Sequence, residues 1–308
     1  MSDVHILYHQ DADGNASAAI LRKYLQASGN NVILRGLSHG ARSGSLSVGS
    51  DDHIYLVDYS FQPLIAMSQF AQSHKNLVWI DHHANSIEYE EAIPSLKDVQ
   101  GIRKQHFADT DMPISACELT WQYCYPGVPI PPVIDLIGCY DTYRHVREHN
   151  DDALLFVNYL NSVNTAIHSR DGSLFWGDIM ALSAEEQRLA LDKTFLPEGR
   201  VCLRYSQSRA ASVMRTASFE AKFLGIPSLI VNTPWAYSQF FNELYDHTVH
   251  QLMVAFTYKR DRWVITLYST HKEVNCAELA RKMGGSGHPS AGGFTLKDFA
   301  DFERLLER

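Results

Sequence analysis

The chain has 308 residues, 45% of them hydrophobic and 20% charged, with a formal net charge of −8. This composition excludes an intrinsically disordered chain. The acidic balance, without a lysine- or arginine-rich run, argues against a protein that grips long duplex DNA.

No apolar stretch approaches membrane length, and no basic region with a signal-like core opens the sequence, so no membrane partner is expected. The length suits two domains of ordinary size. Cys117, Cys124, Cys139, Cys202 and Cys276 are scattered without C-x-x-C spacing. That pattern fits buried thiols in a reducing compartment better than disulfides or zinc, which points to the cytoplasm.

Val4-His5-Ile6-Leu7-Tyr8 reads as a first strand and runs into His9-Gln10-Asp11-Ala12-Asp13-Gly14. In residues 17–27, Ala18, Ala19, Leu21, Tyr24 and Leu25 recur at near-helical spacing. Residues 30–37 read as a strand and 40–49 as a Ser/Gly loop, and the strand-like run His53-Ile54-Tyr55-Leu56-Val57 leads into Asp58. Residues 63–73 read as a helix with proline in its first turn. Asn76-Leu77-Val78-Trp79-Ile80 then reads as a strand ending on Asp81-His82-His83. This alternation implies right-handed crossovers and a parallel sheet.

Residues 88–111 are polar and read as an irregular surface excursion. Residues 114–125 and 132–139 read as helices around a proline-rich turn, and Gly138-Cys139-Tyr140-Asp141 closes the second. Two helix-like stretches within 152–192, the clearer at 181–193, read as a bridge between domains. The second domain is expected to begin near Pro197-Glu198-Gly199, with strands at 201–205, 227–231, 251–256 and 263–268. Helices are expected at 208–223, 238–244 and 275–283. The expected plan is a metal-binding catalytic domain over 1–150, a helical linker over 151–196 and a substrate-binding domain over 197–308.

Three strands thus deliver carboxylates or imidazoles at their C-terminal ends, the rim where α/β sheets bind ligands. A lone aspartate after a strand is usually a cap or turn residue, and a lone buried histidine is usually hydrogen-bonded core. Four such clusters together call for another explanation, because carboxylates gathered in one cleft resist ionisation unless cations neutralise them. Hard oxygen donors with one or two imidazoles suit Mn²⁺ or Mg²⁺.

In order, His9-Gln10-Asp11-Ala12-Asp13-Gly14-Asn15-Ala16-Ser17-Ala18, Asp58, Asp81-His82-His83 and Asp141 resemble the four motifs of the DHH phosphoesterases. Gly284-Gly285-Ser286-Gly287-His288-Pro289-Ser290-Ala291-Gly292-Gly293 resembles the glycine-rich signature of the DHH-associated C-terminal domain. The compact length and Ser115-Ala116-Cys117-Glu118-Leu119-Thr120-Trp121 make the likeness nearest to short-oligonucleotide hydrolases, the nanoRNases. The resemblance implies an α/β protein. A parallel-sheet N-terminal domain with flanking helices would face a smaller mixed α/β C-terminal domain across a cleft.

The resemblance further implies two ions, Mn²⁺ or alternatively Mg²⁺, bridged by Asp58. His9 and Asp11 would complete one ion's ligands, with His5 the alternative to His9; Asp13, His82 and Asp141 would complete the other's. Asp81 would orient a metal-bound imidazole, and His83 would donate to the scissile phosphate or the leaving group. Gly285, Gly287, His288 and Arg281 would bind a terminal phosphate or sugar, since glycine amides approach anions closely. His39, Arg103, Lys104, Arg144 and Arg147 are further candidates near the substrate.

The expected function is a phosphodiesterase that releases mononucleotides from dinucleotides and other short oligonucleotides. A cyclic-dinucleotide phosphodiesterase and a phosphatase or exopolyphosphatase would use the same site. A nucleotide-binding sensor is the non-enzymatic reading, and a homodimer stays open.

Overall fold

A computed structural model of the chain describes residues 3–38, 41–102, 113–234 and 236–307. The expectations for His39, Arg103 and Lys104 lie outside the described residues, as does the side chain of His288. The chain divides into two compact units, Met1–Leu203 and Arg204–Arg308. Among the described residues, no helix is long and apolar enough to cross a membrane.

In the first unit, β1 (Val4–His9), β2 (Val32–Leu37), β3 (His53–Val57) and β4 (Leu77–Ile80) form a parallel sheet in the order β2-β1-β3-β4. Side chains alternate across a strand, and here both faces are apolar. Ile6, Tyr8, Val57, Val78 and Ile80 join one core, while Leu7, Ile54, Leu56, Leu77 and Trp79 join another. Such a sheet needs cover on both faces. α1 (Ala12–Ala27) covers the first through Ala16, Ala19 and Ile20, and α2 (Leu64–Ser73) covers the second through Met67 and Phe70. The strand order reverses between β1 and β3, and α/β sheets bind ligands beyond the carboxyl ends at such a reversal.

Much of the expected surface excursion at 88–111 is helical instead: α3 (Ala84–Ala92) and α4 (Pro94–Lys97) follow β4. Tyr89, Ile93 and Leu96 pack on the second core. Their stripe is too short to stand out among Glu88, Glu90 and Glu91. Next come α5 (Ala116–Cys124), α6 (Pro132–Asp141), α7 (Arg144–Arg147), α8 (Asp151–Ser162), α9 (Arg170–Ala181) and α10 (Ala184–Ala190). A π-helical turn at Leu191–Phe195 leads into α11 (Leu196–Ala217). Phe156, Trp176, Ile179 and Leu191, all from the expected linker, join the same core as β1 and α1.

The strand expected at 201–205 is part of α11. Val201-Cys202-Leu203-Arg204-Tyr205 has strand-like composition, but Leu203, Ala210, Met214 and Ala217 continue a helical stripe far beyond it. A five-residue apolar run cannot by itself separate the two structures.

The second unit is a mixed seven-stranded sheet, ordered β11-β5-β6-β7-β8-β10-β9. Its strands are β5 (Ser218–Phe223), β6 (Ile226–Asn232), β7 (Leu252–Lys259), β8 (Arg262–Tyr268), β9 (Ser286–His288), β10 (Ala291–Leu296) and β11 (Leu306–Glu307). β6 and β7 pair in parallel, and the other neighbouring strands pair antiparallel. Ile230 and Val254 pack with α12 (Cys276–Lys282) and α13 (Phe299–Glu303), whereas Leu229, Val231, Met253 and Ala255 pack with Ala210 and Met214 of α11. The helix expected at 208–223 therefore stops at Ala217, where Phe219, Ala221 and Phe223 switch to the period of two that suits β5. The helix expected at 238–244 is a single 3₁₀ turn, Ser238–Phe241. The α/β expectation holds in each unit, parallel in the first and mixed in the second.

Candidate metal centre

β1 ends at His9, and Asp11 caps α1 by accepting the Gly14 N–H at 2.9 Å. Glycine is required at 14 because a Cβ there would lie 2.1 Å from the His9 carbonyl oxygen. The helix can then start against the strand end, which brings Asp13 into the crevice. Asn15 ties this turn to a distant loop: its Nδ2 donates to the Asp11 carbonyl at 2.6 Å, and its Oδ1 accepts from Ile167 N at 2.9 Å. The amides at the start of α5, Ala116 N and Cys117 N, donate to the two Asp13 oxygens at 2.9 and 2.7 Å.

Asp58 follows β3 directly and adopts a left-handed backbone, φ +54°. Aspartate tolerates that region better than most residues, at a cost of about 1 kcal/mol or more. Asp81 and His82 follow β4, and Asp141 is the last residue of α6. Strand ends and one helix end therefore converge at the reversal in strand order.

The two oxygens of Asp58 face different neighbours. Oδ2 lies 3.6 Å from His9 Nδ1, which is itself 2.8 Å from Asp11 Oδ2. Oδ1 lies 3.3 Å from His82 Nε2, which is 3.5 Å from both Asp13 Oδ2 and Asp141 Oδ2. Donor atoms of His9, Asp11 and Asp58 all lie within 4.8 Å of one another, and the same holds for Asp13, His82 and Asp141. The six residues singled out as metal ligands thus share one site. His5 does not join them; its Nε2 pairs with Asp52 at 3.2 Å.

The electrostatics fit a cation-binding donor set. Asp58 and Asp141 are pushed well above the usual carboxylate range by burial first and by neighbouring carboxylates second. Asp13 is pushed up to about 6 by burial and by the Asp11 charge. Burial works against ionisation of Asp11, but the hydrogen bond and charge of His9 hold its carboxyl below the ordinary value. Among the described residues, Asp58 Oδ2 is buried without a hydrogen-bond partner. Carboxylates in this condition gain from a divalent cation, which would be the largest local charge.

Residues 3–137 match the model of the DHH family, N-terminal domain. The N-terminal part of this chain is a DHH-family domain. No curated protein matches the sequence. Among solved structures, the pGpG-specific phosphodiesterase PggH from Vibrio cholerae aligns with a TM-score of 0.52 at 14% identity, over 99% of this chain and 96% of that one. An exopolyphosphatase-related protein from Bacteroides fragilis aligns at 0.50 with 14% identity, over 99% and 91% of the two chains. RecJ from Thermus thermophilus, in complex with Mn²⁺, aligns at 0.50 with 15% identity, over 98% of this chain and 50% of that one. At these identities the likeness is one of fold.

Within the DHH domain, the ring that Asp81 contacts is that of His83. Its Oδ1 lies 2.7 Å from His83 Nδ1 and accepts the backbone N–H groups of His82 and His83. The imidazole that it orients is therefore His83, and the His82 ring turns toward Asp13, Asp58 and Asp141. Burial works against protonation of His83, but Asp81 outweighs it and the pKa is pushed up to about 9.

Other candidates are engaged elsewhere. Arg144 bonds to Glu118 and Thr142, and Arg147 sits half-exposed beside Glu148. Glu118 and the amides of Ala116 and Cys117 join the site only in the structure, and the S-x-x-E capping pattern of Ser115 and Glu118 is their one sign in the sequence.

In the second unit, the glycine-rich signature includes paired strands, β9 and β10, rather than a loop throughout. Backbones approach closely there. A Cβ at Gly285 would lie 2.1 Å from the Gly293 carbonyl oxygen, and one at Gly287 would lie 2.4 Å from that of Ala291. Arg281 is exposed on α12, and its Nε donates to the Ala277 carbonyl at 3.3 Å.

Proposed function

We propose that the chain is a divalent-metal-dependent phosphodiesterase that hydrolyses short oligonucleotides, dinucleotides included, to mononucleotides, with Mn²⁺ its preferred ion. The observation that carries this reading is Asp58, whose two oxygens face separate groups of donors. His9, Asp11 and Asp58 would hold one cation; Asp13, His82 and Asp141, with Asp58, would hold the second. Such a pair of ions, when bound, lowers the pKa of a water and neutralises charge on phosphate oxygens.

The chain's own residues supply the rest. The amides of Ala116 and Cys117 orient Asp13. Asp81 holds Nδ1 of His83 and leaves Nε2 to donate a proton to a phosphate oxygen or the leaving group. The Asp81 carboxylate favours the protonated form of that ring. The net charge of −8 disfavours long duplexes but leaves room for a short substrate held through cations.

The second unit would take the substrate's far end through Gly285, Gly287, His288 and Arg281, which would limit its length. A cytoplasmic location belongs to the same reading. The phosphodiesterase reading has support in two proteins of similar fold, PggH, a pGpG-specific phosphodiesterase, and RecJ in complex with Mn²⁺.

The test is a product time course on end-labelled short RNA and DNA, a cyclic dinucleotide and polyphosphate, using chelator-treated protein with Mn²⁺, Mg²⁺ or Zn²⁺ restored. Mononucleotides should appear from the short linear substrates, best with Mn²⁺, and neither chelated protein nor Asp58→Asn should produce them. Full turnover in chelator would remove the metal from the mechanism. Cleavage of only the cyclic dinucleotide or polyphosphate would reassign the substrate, and silence on every substrate would leave a nucleotide sensor.

A further inference from the structure

Glu118 and Arg144 form an ion pair that belongs to neither triad yet is built into the backbone on both sides of one. Glu118 is 2% exposed in the first turn of α5. Its Oε2 accepts the Ser115 N–H at 2.9 Å, and Ser115 Oγ accepts the Glu118 N–H at 3.4 Å. This capping box sets the turn that aims the Ala116 and Cys117 amides at Asp13.

Glu118 Oε1 takes Arg144 Nη2 at 2.6 Å, and Arg144 Nε donates to Thr142 Oγ1 at 3.0 Å. Thr142, which directly follows Asp141, donates in turn to the Gly138 carbonyl at 2.7 Å. A Cβ on Gly138 would lie 2.4 Å from Glu118 Oε2. Glycine inside a helix costs about 0.5–1 kcal/mol relative to alanine, and here it makes room for the carboxylate.

We infer that Glu118 and Arg144 are positioning residues that hold the Asp13 and Asp141 carboxylates at a common spacing about His82, so that one half of the metal centre depends on a pair that touches no cation. The inference rests on the two-cation reading above. One end of the pair sets the amides on Asp13, and the other braces the residue after Asp141. Those two carboxylates each lie 3.5 Å from His82 Nε2. The pair's hydrogen bonds run to Ser115 and Thr142, which flank the Asp13 and Asp141 side of the site. Stability alone is a weak reason for such a pair, since desolvation of buried charges largely offsets their attraction. The Arg144 side chain is 12% exposed and committed to Glu118 and Thr142, which argues against the phosphate contact considered for it.

The test needs no substrate. Mn²⁺ is titrated calorimetrically into metal-free wild type, Glu118→Gln, Arg144→Gln and the double variant, with thermal unfolding measured alongside. Wild type should show two classes of site. Each single variant should weaken one class by roughly 10- to 100-fold and leave the other unchanged. The double variant should be no worse than the weaker single, because both break one link, and Arg144→Lys should recover part of the loss.

Both classes unchanged in the variants would overturn the inference, as would both weakened together with a lower Tm, which is general loosening. A wild type that binds no Mn²⁺ overturns the two-cation reading and this inference with it, and is recognised before any variant is made. If Glu118→Gln does not fold, Arg144→Gln leaves the capping box intact and carries the comparison.

Discussion

His83 Nδ1 lies 2.7 Å from Asp81 Oδ1, and the same oxygen accepts the backbone N–H groups of His82 and His83 at 2.8 and 3.2 Å. One buried carboxylate therefore shapes the turn after β4 and fixes one of the two imidazoles that leave it. The other imidazole, His82, points its Nε2 at three carboxylates.

If His83 is the proton donor, Asp81→Asn should move the pH profile in a defined direction. Asp81 is the main group raising the His83 pKa to about 9, so its loss should bring the value down toward 6.5. The donor is the protonated ring, and the alkaline limb of kcat should move to lower pH. His83→Ala should cost roughly 10²- to 10⁴-fold in rate. NMR titration of the ring and kcat profiles of the two proteins check this; an unmoved limb would remove His83 from the proton transfer.

The metal-free protein should lose stability as pH rises through the weakly acidic range. Asp13 has a folded pKa of about 6 against an ordinary 3.8, and Asp58 and Asp141 are raised as well. Between those values the folded state binds more protons than the unfolded state, so ΔG of unfolding falls with increasing pH. His83 acts in the same direction at higher pH, because its raised pKa contributes stability that is lost through about 9. Asp11, held low, contributes stability that is lost only on strong acidification. Urea unfolding in chelator should therefore show a lower midpoint at pH 8 than at pH 5, and Mn²⁺ should reduce the difference. A flat profile in chelator would contradict the crowding of these carboxylates.

Gly14→Ala should damage the fold and the site together. The added methyl would sit 2.1 Å from the His9 carbonyl oxygen, a backbone atom that cannot swing aside. Overpacking of this kind costs about 1–3 kcal/mol, and relief would displace His9 or the start of α1. Denaturant unfolding and Mn²⁺ titration should both register the loss. A variant with normal stability and affinity would mean that the strand end and helix start are not held as closely as described.

Much of the site could be read from local pattern because its residues occupy a fixed place in that pattern. A strand in a sheet covered on both faces is a short apolar run, so its end is visible where His9, Asp58 and Asp81 interrupt Tyr8, Val57 and Ile80. The helix α3 is hidden in the sequence because its polar face dominates a short segment, and 201–205 reads as a strand because its β-like composition lies inside a helix. The strands at the glycine-rich end were hidden as well. Gly285, Gly287 and Gly292 look like loop residues in sequence, yet each lies where neighbouring backbone leaves little room for a side chain.

Taken alone, the order of residues along the chain determined the parallel sheet and the strand ends at which His9, Asp58 and Asp81 stand. Those properties follow from backbone periodicity and burial, which act over a few neighbouring positions. Tertiary structure alone decided that Asp81 holds His83 and that Glu118 reaches Arg144. These outcomes depend on which rotamers and backbone turns leave room for a partner far away in sequence, and no local pattern records that room.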